Sequence, residues 1–509
     1  MKMKKRKIVL YGLAALVALG LFAMLSLKTW ASYRLKQANW QHSQQMRANT
    51  PPEGKNLLET PLWLDFLKES VTRIETPGTE EEIAAGWPER TNALSRWNRE
   101  QTAKRVEYDR IRPVLDKNME LRPGNLDSTE REALPTFEAL QKGPERAGAQ
   151  PLAPELSSII QKYEARAELS DEEKVLTVLL EYFQSGDPAT EAEIKKSLAE
   201  SSYFGNYVEV YAVYVKQGLP EEVFLLNPLR HLAPLKALGQ HYGQMARWHA
   251  YLGQREEALE ELQPLLELAG LEGYNSTLIE GLVRNALRIT TAVTVHTLIL
   301  EGAFTQEDLL SIQTRFSQMN IMEDLRQTLE GEEAFCEKMF RLYFDPSLKK
   351  GFWERFATRF VGFSGYMDLN KAAIFEAMRG LRAAIDTEGQ TLDEAAWEKA
   401  VDLPKSFFNI LARQMIPAIE KTSNKFLQIQ SHRDAVILGC ALERYWLSEG
   451  AYPEELAALI PDYLEAMPPA SLSQGSLSYK PVEGGGYELT LNKLPELPPK
   501  DRMETTWIR

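Results

Sequence analysis

The 509-residue chain holds only two cysteines, Cys336 and Cys440, and six histidines. So few thiols and imidazoles leave no CxxC pair and no zinc-type ligand spacing, and neither a metal nor another cofactor is expected. His241 and His249 stand eight apart, too far along a straight helix to share one ion, and His231, His296 and His432 have no ligand-spaced partner. A GxxxxGK[ST] phosphate loop, an HExxH pair, a GxSxG elbow and an EF-hand loop are all missing; Gly362-Phe363-Ser364-Gly365 misses the elbow spacing. Positive charge is scarce as well. The net charge is −13, and beyond the first seven residues 54 Lys and Arg face 72 Asp and Glu. An acidic exterior repels phosphate backbones, which argues against nucleic-acid binding. No residue is assigned a catalytic, cofactor-binding or metal-binding role.

What the chain does have is one long apolar run. Ile8 to Leu27 is twenty residues without a charged side chain, preceded by Lys2, Lys4, Lys5, Arg6 and Lys7. At 1.5 Å rise per residue such a run reaches about 30 Å, the thickness of a bilayer's hydrocarbon core. The five cations outnumber Lys28, Arg34 and Lys36 behind the run. This bias retains the amino terminus in the cytoplasm and sends the rest across. Trp30 and Tyr33 fit an interfacial aromatic belt. A cleavable signal peptide is the rival reading, but its apolar part spans about 7–15 residues and ends in a small-x-small site. The expected location is therefore a single pass through an inner membrane, with the body periplasmic. The two cysteines, within apolar helical patterns, read as buried thiols, although that location would permit a disulfide between them.

The expected fold is mainly α. It comprises a cytoplasmic tail (1–7), a transmembrane helix (8–28), a juxtamembrane linker with polar helices (29–150), an α-helical body (151–430) and a small α+β module with a β-hairpin (431–509). Pro51-Pro52 marks the linker, and Gly143-Pro144 to Pro154 marks the body's start. Tyr203 to Val215 is rich in aromatic and β-branched residues, as in a strand, between neighbours that favour helix. Ser170 with Glu173, Thr190 with Glu193, and Thr391 with Glu394 have capping-box spacing, and Thr305 with Asp308 is a weaker case. Glu256 and Glu257 mark a helix's first turn. Around 240–268, Ala246, a turn at Gly253 and Ala258 have tetratricopeptide-like spacing, and Ala258, Leu259, Leu262, Leu265 and Leu266 form a helical stripe. Without further copies this reads as one hairpin, with Pro264 expected to disturb its second helix. Ser276 to Gly302 reads as the central core helix, since Glu280, Arg284 and Arg288 recur on one side and would be stranded in lipid.

The carboxy-terminal portion is patterned more distinctively. Ala435, Leu438, Leu442 and Tyr445 make a one-sided stripe, Gly450 can stop the helix, and Pro453-Glu454-Glu455 opens a short one. Leu477, Tyr479 and Pro481 alternate, Gly484-Gly485-Gly486 turns, and Tyr487, Leu489 and Leu491 alternate back as a hairpin. Across about residues 430 to 495 this order resembles the globular end of type II secretion pseudopilins, carried by Glu449-Gly450-Ala451-Tyr452-Pro453, Leu456, Leu459 and Pro468. Three features withhold support from fibre assembly and calcium binding. Pro469-Ala470-Ser471-Leu472 replaces that family's Asp-Pro-aromatic turn, the late aspartates that bind calcium in its major members are absent, and Lys7-Ile8-Val9-Leu10 enters the apolar run without the acidic residue of a prepilin leader. Over about 230 to 495 the chain is also similar to a broad group of bacterial membrane-anchored proteins, a similarity that implies architecture and no activity. The expected function is a membrane-anchored, non-enzymatic scaffold with a protein partner. A pseudopilin-related secretion accessory, or a hydrolase whose residues converge from distant helices, are the alternatives.

Overall fold

A computed structural model describes residues 28–33, 56–67, 93–98, 100–101, 188–202, 229, 231–251, 254–273, 276–343, 365–406, 409–468, 477–482, 485–493 and 503–508. These are mainly helical. The elements run α1 (Pro188–Ala199), α2 (Leu232–Tyr251), α3 (Arg255–Gly270), α4 (Leu278–Leu300), α5 (Gln306–Ser317), α6 (Ile321–Tyr343), α7 (Tyr366–Ala383), β1 (Ile385–Asp386), β2 (Thr391–Leu392), α8 (Glu394–Val401), α9 (Ile410–Glu449), β3 (Leu477–Val482), β4 (Gly486–Lys493) and β5 (Met503–Ile508). Among the described residues no helix is long and apolar enough to cross a membrane. The run 8–27 lies outside them, as do the Ser170 cap, the segment 203–215 and both proline-rich breaks.

The core is built around α4. Thr277 caps it by accepting from the Glu280 amide, while the Glu280 carboxylate accepts from the Thr277 amide at 2.5 Å, a complete capping box. Leu287, Val295, Leu298 and Ile299 then bury one face. The hairpin expected at 240–268 is present as α2 and α3, with Ala246 and Ala258 fully buried. Pro264 does not break α3, which runs through it to Gly270 with the ring buried. The approach of α2 to α4 is closer than the sequence reading anticipated. A Cβ on Gly243 would stand 2.8 Å from Thr290 Cγ2, so glycine sets that helix separation. Described parts of the segment read as linker and polar helices also enter the core, for Trp63, Leu94 and Trp97 are buried there.

Three expected helix starts need correction. Thr190 lies inside α1, because Pro188 already supplies the first helical residue. Thr391 belongs to β2, and Asp393 caps α8 by accepting from the Ala396 amide. The turn expected from Pro453 is a 3₁₀ helix at Leu456–Leu459. Thr305 with Asp308, in contrast, is a full capping box.

The longest element is α9, forty residues that cross residue 430 without a break and stop where Gly450 takes a left-handed conformation at φ 77°. Its apolar positions Ile416, Phe426, Ala435, Leu438 and Leu442 are buried in turn along its length. Beyond it β3 and β4 pair antiparallel as the expected hairpin, Tyr479 opposite Leu489 and Pro481 opposite Tyr487, with Gly486 already in β4. A third strand, β5, pairs with the far edge of β4 and was not anticipated; nor was the small β1–β2 pair. An aromatic joint ties sheet to helix. Tyr487 contacts Tyr452 at 5.0 Å between centroids, Tyr452 donates to Glu443 Oε1 at 2.8 Å, and Tyr479 donates to the Pro453 carbonyl at 2.7 Å.

Candidate functional site

The charged side chains singled out on α4 all point inward. Glu280, Arg284 and Arg288 are buried, and one α6 carboxylate serves both arginines: Asp324 Oδ1 lies 2.6 Å from Arg284 Nη2 and Oδ2 lies 2.7 Å from Arg288 Nη1. Burial alone would raise the Asp324 carboxyl, but the two guanidiniums outweigh it and hold the group below its usual range. Burial also draws Arg288 below its usual value, while Asp324 acts in the opposite direction. Arg284 further donates to Ser276 Oγ at 2.8 Å and Thr328 Oγ1 at 3.2 Å, and Arg288 donates to the Ala269 carbonyl. Gly273 makes room for this arrangement, since a Cβ there would overlap the Arg284 guanidinium.

Arg288 and Asp324 of this triad line the inner wall of a cleft of about 580 Å³ between α3, α5 and α6. Its rim carries the Arg315–Glu267 pair at 3.0 Å, together with Glu323, Gln327 and Gln318. A second cleft of about 530 Å³ lies between α5, α9 and residues 461–468, lined by Leu310, Gln313, Arg444, Tyr463, Met467 and again Gln318. Gln313 donates to the Tyr463 carbonyl at 2.8 Å and accepts from Arg444 at 3.0 Å, which fixes the wall of the second cleft. Gln318, at the carboxyl end of α5, lines both clefts. Behind them Arg433 bonds Asp434, the Met319 carbonyl and Gln390, so α9 holds the β1–β2 turn in place.

Two carboxylate–imidazole pairs lie elsewhere. His241 Nε2 is 3.2 Å from Glu191 Oε1, which also accepts from Trp97 Nε1 at 3.0 Å. His231 Nε2 is 3.2 Å from Glu280 Oε1. His231 stands in the turn just before α2, and all four side chains are buried. His249 contacts Gln254 instead, and burial lowers His432 to about 4, which keeps it neutral. Cys336 and Cys440 are free thiols, both buried and both pushed well above the usual thiol range, chiefly by burial. The thiolate needed for nucleophilic attack is therefore suppressed. Among the described residues no group of three metal-ligating side chains is gathered. The segment 362–364 lies outside them.

The sequence marked Arg284 and Arg288 but not Asp324, 36 residues beyond Arg288 on another helix. A lone Asp near a helix start signals only dipole compensation. Comparison with family models, curated proteins and solved structures finds no match to this chain.

Proposed function

We infer that this chain is a membrane-anchored, extracytoplasmic helical scaffold whose body receives a polypeptide segment of a protein partner. The groove at Gln318 carries this reading. Two clefts of about 580 and 530 Å³ share this residue in their walls, each offering apolar surface beside polar groups. Their arginines are already matched by carboxylates or carbonyls, which leaves no free cationic anchor among the described residues for an anionic small ligand, and the mixed lining suits a peptide. The anchor is supported by the cation-led apolar run Ile8 to Leu27. A photo-crosslinking residue at Gln318, expressed in native membranes, is expected to trap one protein. The same residue at Glu260, exposed on α3, is not. No adduct at Gln318, or equal adducts at both positions, would count decisively against the reading.

A second reading, a pseudopilin-related secretion accessory, is favoured by the passage from α9 through Gly450 into an antiparallel sheet. The first half of α9 buries Ala412, Ile416, Ile419 and Phe426 against the body, which leaves it no membrane-spanning role. This reading predicts impaired secretion in a deletion strain, and unimpaired secretion removes it.

A further inference from the structure

The residue directly after the apolar run is already held by the body. Lys28 Nζ lies 2.6 Å from Asp368 Oδ2, in the first turn of α7, and Ser32 Oγ donates to the same oxygen at 3.4 Å. Residues 28–33 are helical, and Ala31 is fully buried. Positions 28, 31 and 32 share one helical face, so the charge pair and the buried methyl act on the same side. Trp30 and Tyr33 remain 51 % and 60 % exposed.

Covalent continuity turns this contact into a statement about placement. Leu27, the last apolar residue of the run, is one peptide link from Lys28, with about 3.8 Å between their Cα atoms. If the run spans the bilayer, the lipid surface must pass within a residue or two of the amino end of α7. The Pro51-Pro52 linker comes only after this docked helix in the chain, so it does not act as a stalk between membrane and body. The sequence leading into α7 also carries Phe352, Trp353, Phe356, Phe360 and Phe363 among Lys349, Lys350, Arg355 and Arg359. That composition favours a headgroup layer, against an acidic whole.

We propose that the body rests on the lipid headgroups by the face around the amino end of α7, oriented by the Lys28–Asp368 latch. The proposal rests on the anchor reading and adds which side meets the membrane. The carboxylate is well placed for the task, because the positive end of the α7 dipole and Lys28 both favour its charge.

The two ends of α9 supply the test. Leu411, at its start, bonds through its amide to Asn370 Oδ1 at 3.0 Å, two residues from Asp368. Leu447 lies about 54 Å further along the helix axis and is 43 % exposed. The full chain, carrying a bimane label at Gln414→Cys or at Leu447→Cys, is reconstituted in phosphatidylcholine and phosphatidylglycerol vesicles containing a headgroup nitroxide lipid. The native thiols are buried, so each label is specific. Several-fold stronger quenching is expected at position 414 than at 447, and Asp368→Lys should reduce it towards the 447 level while Asp368→Asn has a smaller effect. Equal quenching at both positions, or quenching at 414 unchanged by Asp368→Lys in a chain of unaltered helicity, overturns the proposal. Release of the chain from vesicles by carbonate would instead overturn the anchor reading, and with it the premise of the test.

Discussion

Asp324 is the residue on which the interior charges depend. It is shared by two buried guanidiniums, so removing its charge leaves both uncompensated in a medium that penalises them. Asp324→Asn is expected to cost about 3–5 kcal/mol in urea unfolding, the usual range for breaking a buried ion pair. Replacing all three together, Arg284→Met, Asp324→Leu and Arg288→Met, is expected to cost less than the single change. A triple variant no more stable than Asp324→Asn would show that the triad stabilises the fold outright, beyond selecting one arrangement of helices. The sign of the pH effect follows from the lowered carboxyl. Its stabilisation is present above the unfolded value of about 3.9 and disappears as pH falls through the lower folded one.

At the scale of elements, close approach decides more than propensity. Gly281 sits where α4 meets α6 and α9, and a Cβ there would stand 2.8 Å from both Phe426 Cζ and Thr328 Cγ2. Gly281→Ala is expected to lower stability by about 1–3 kcal/mol through overpacking. Gly270→Ala, with open space around it, should stay within about 1 kcal/mol of the parent, as thermal melts would show. An equal effect at both positions would contradict this account of the packing. Local signals were legible where the physics is local: the Thr305 cap, the Ala246 and Ala258 hairpin, the Gly450 stop and the alternation of β3 and β4 could all be read from spacing. What escaped depends on partners distant in the chain. The strand β5 is defined by pairing with β4 across an intervening segment, and α9 persists through Pro417 because the body packs against both sides of that position. The clefts at Gln318 combine residues from 201 to 468, a juxtaposition that no window of sequence contains.

For the molecule as a whole, pH acts on stability in opposing directions. Asp308, Glu323 and Asp324 are lowered by their partners against the pull of burial, whereas Glu330 and Glu332 are raised, chiefly by burial. Glu332 accepts from the Leu278 amide at 2.9 Å and faces the like charge of Glu280. Its folded form keeps a proton to higher pH than the unfolded chain, so stability falls as pH rises from about 4.3 through the folded value. Glu332→Gln retains a carbonyl oxygen for Leu278 and is expected to raise the urea midpoint at pH 7.5 while changing it little at pH 4. A midpoint unchanged or lowered at pH 7.5 would contradict the assignment. After Pro417, α9 contains no further proline, and from Ala418 to Glu449 it runs about 48 Å. One stiff strut thus joins the terminal sheet to the interior, and tension applied to the tail would be borne axially by the core with no pivot in between to absorb it.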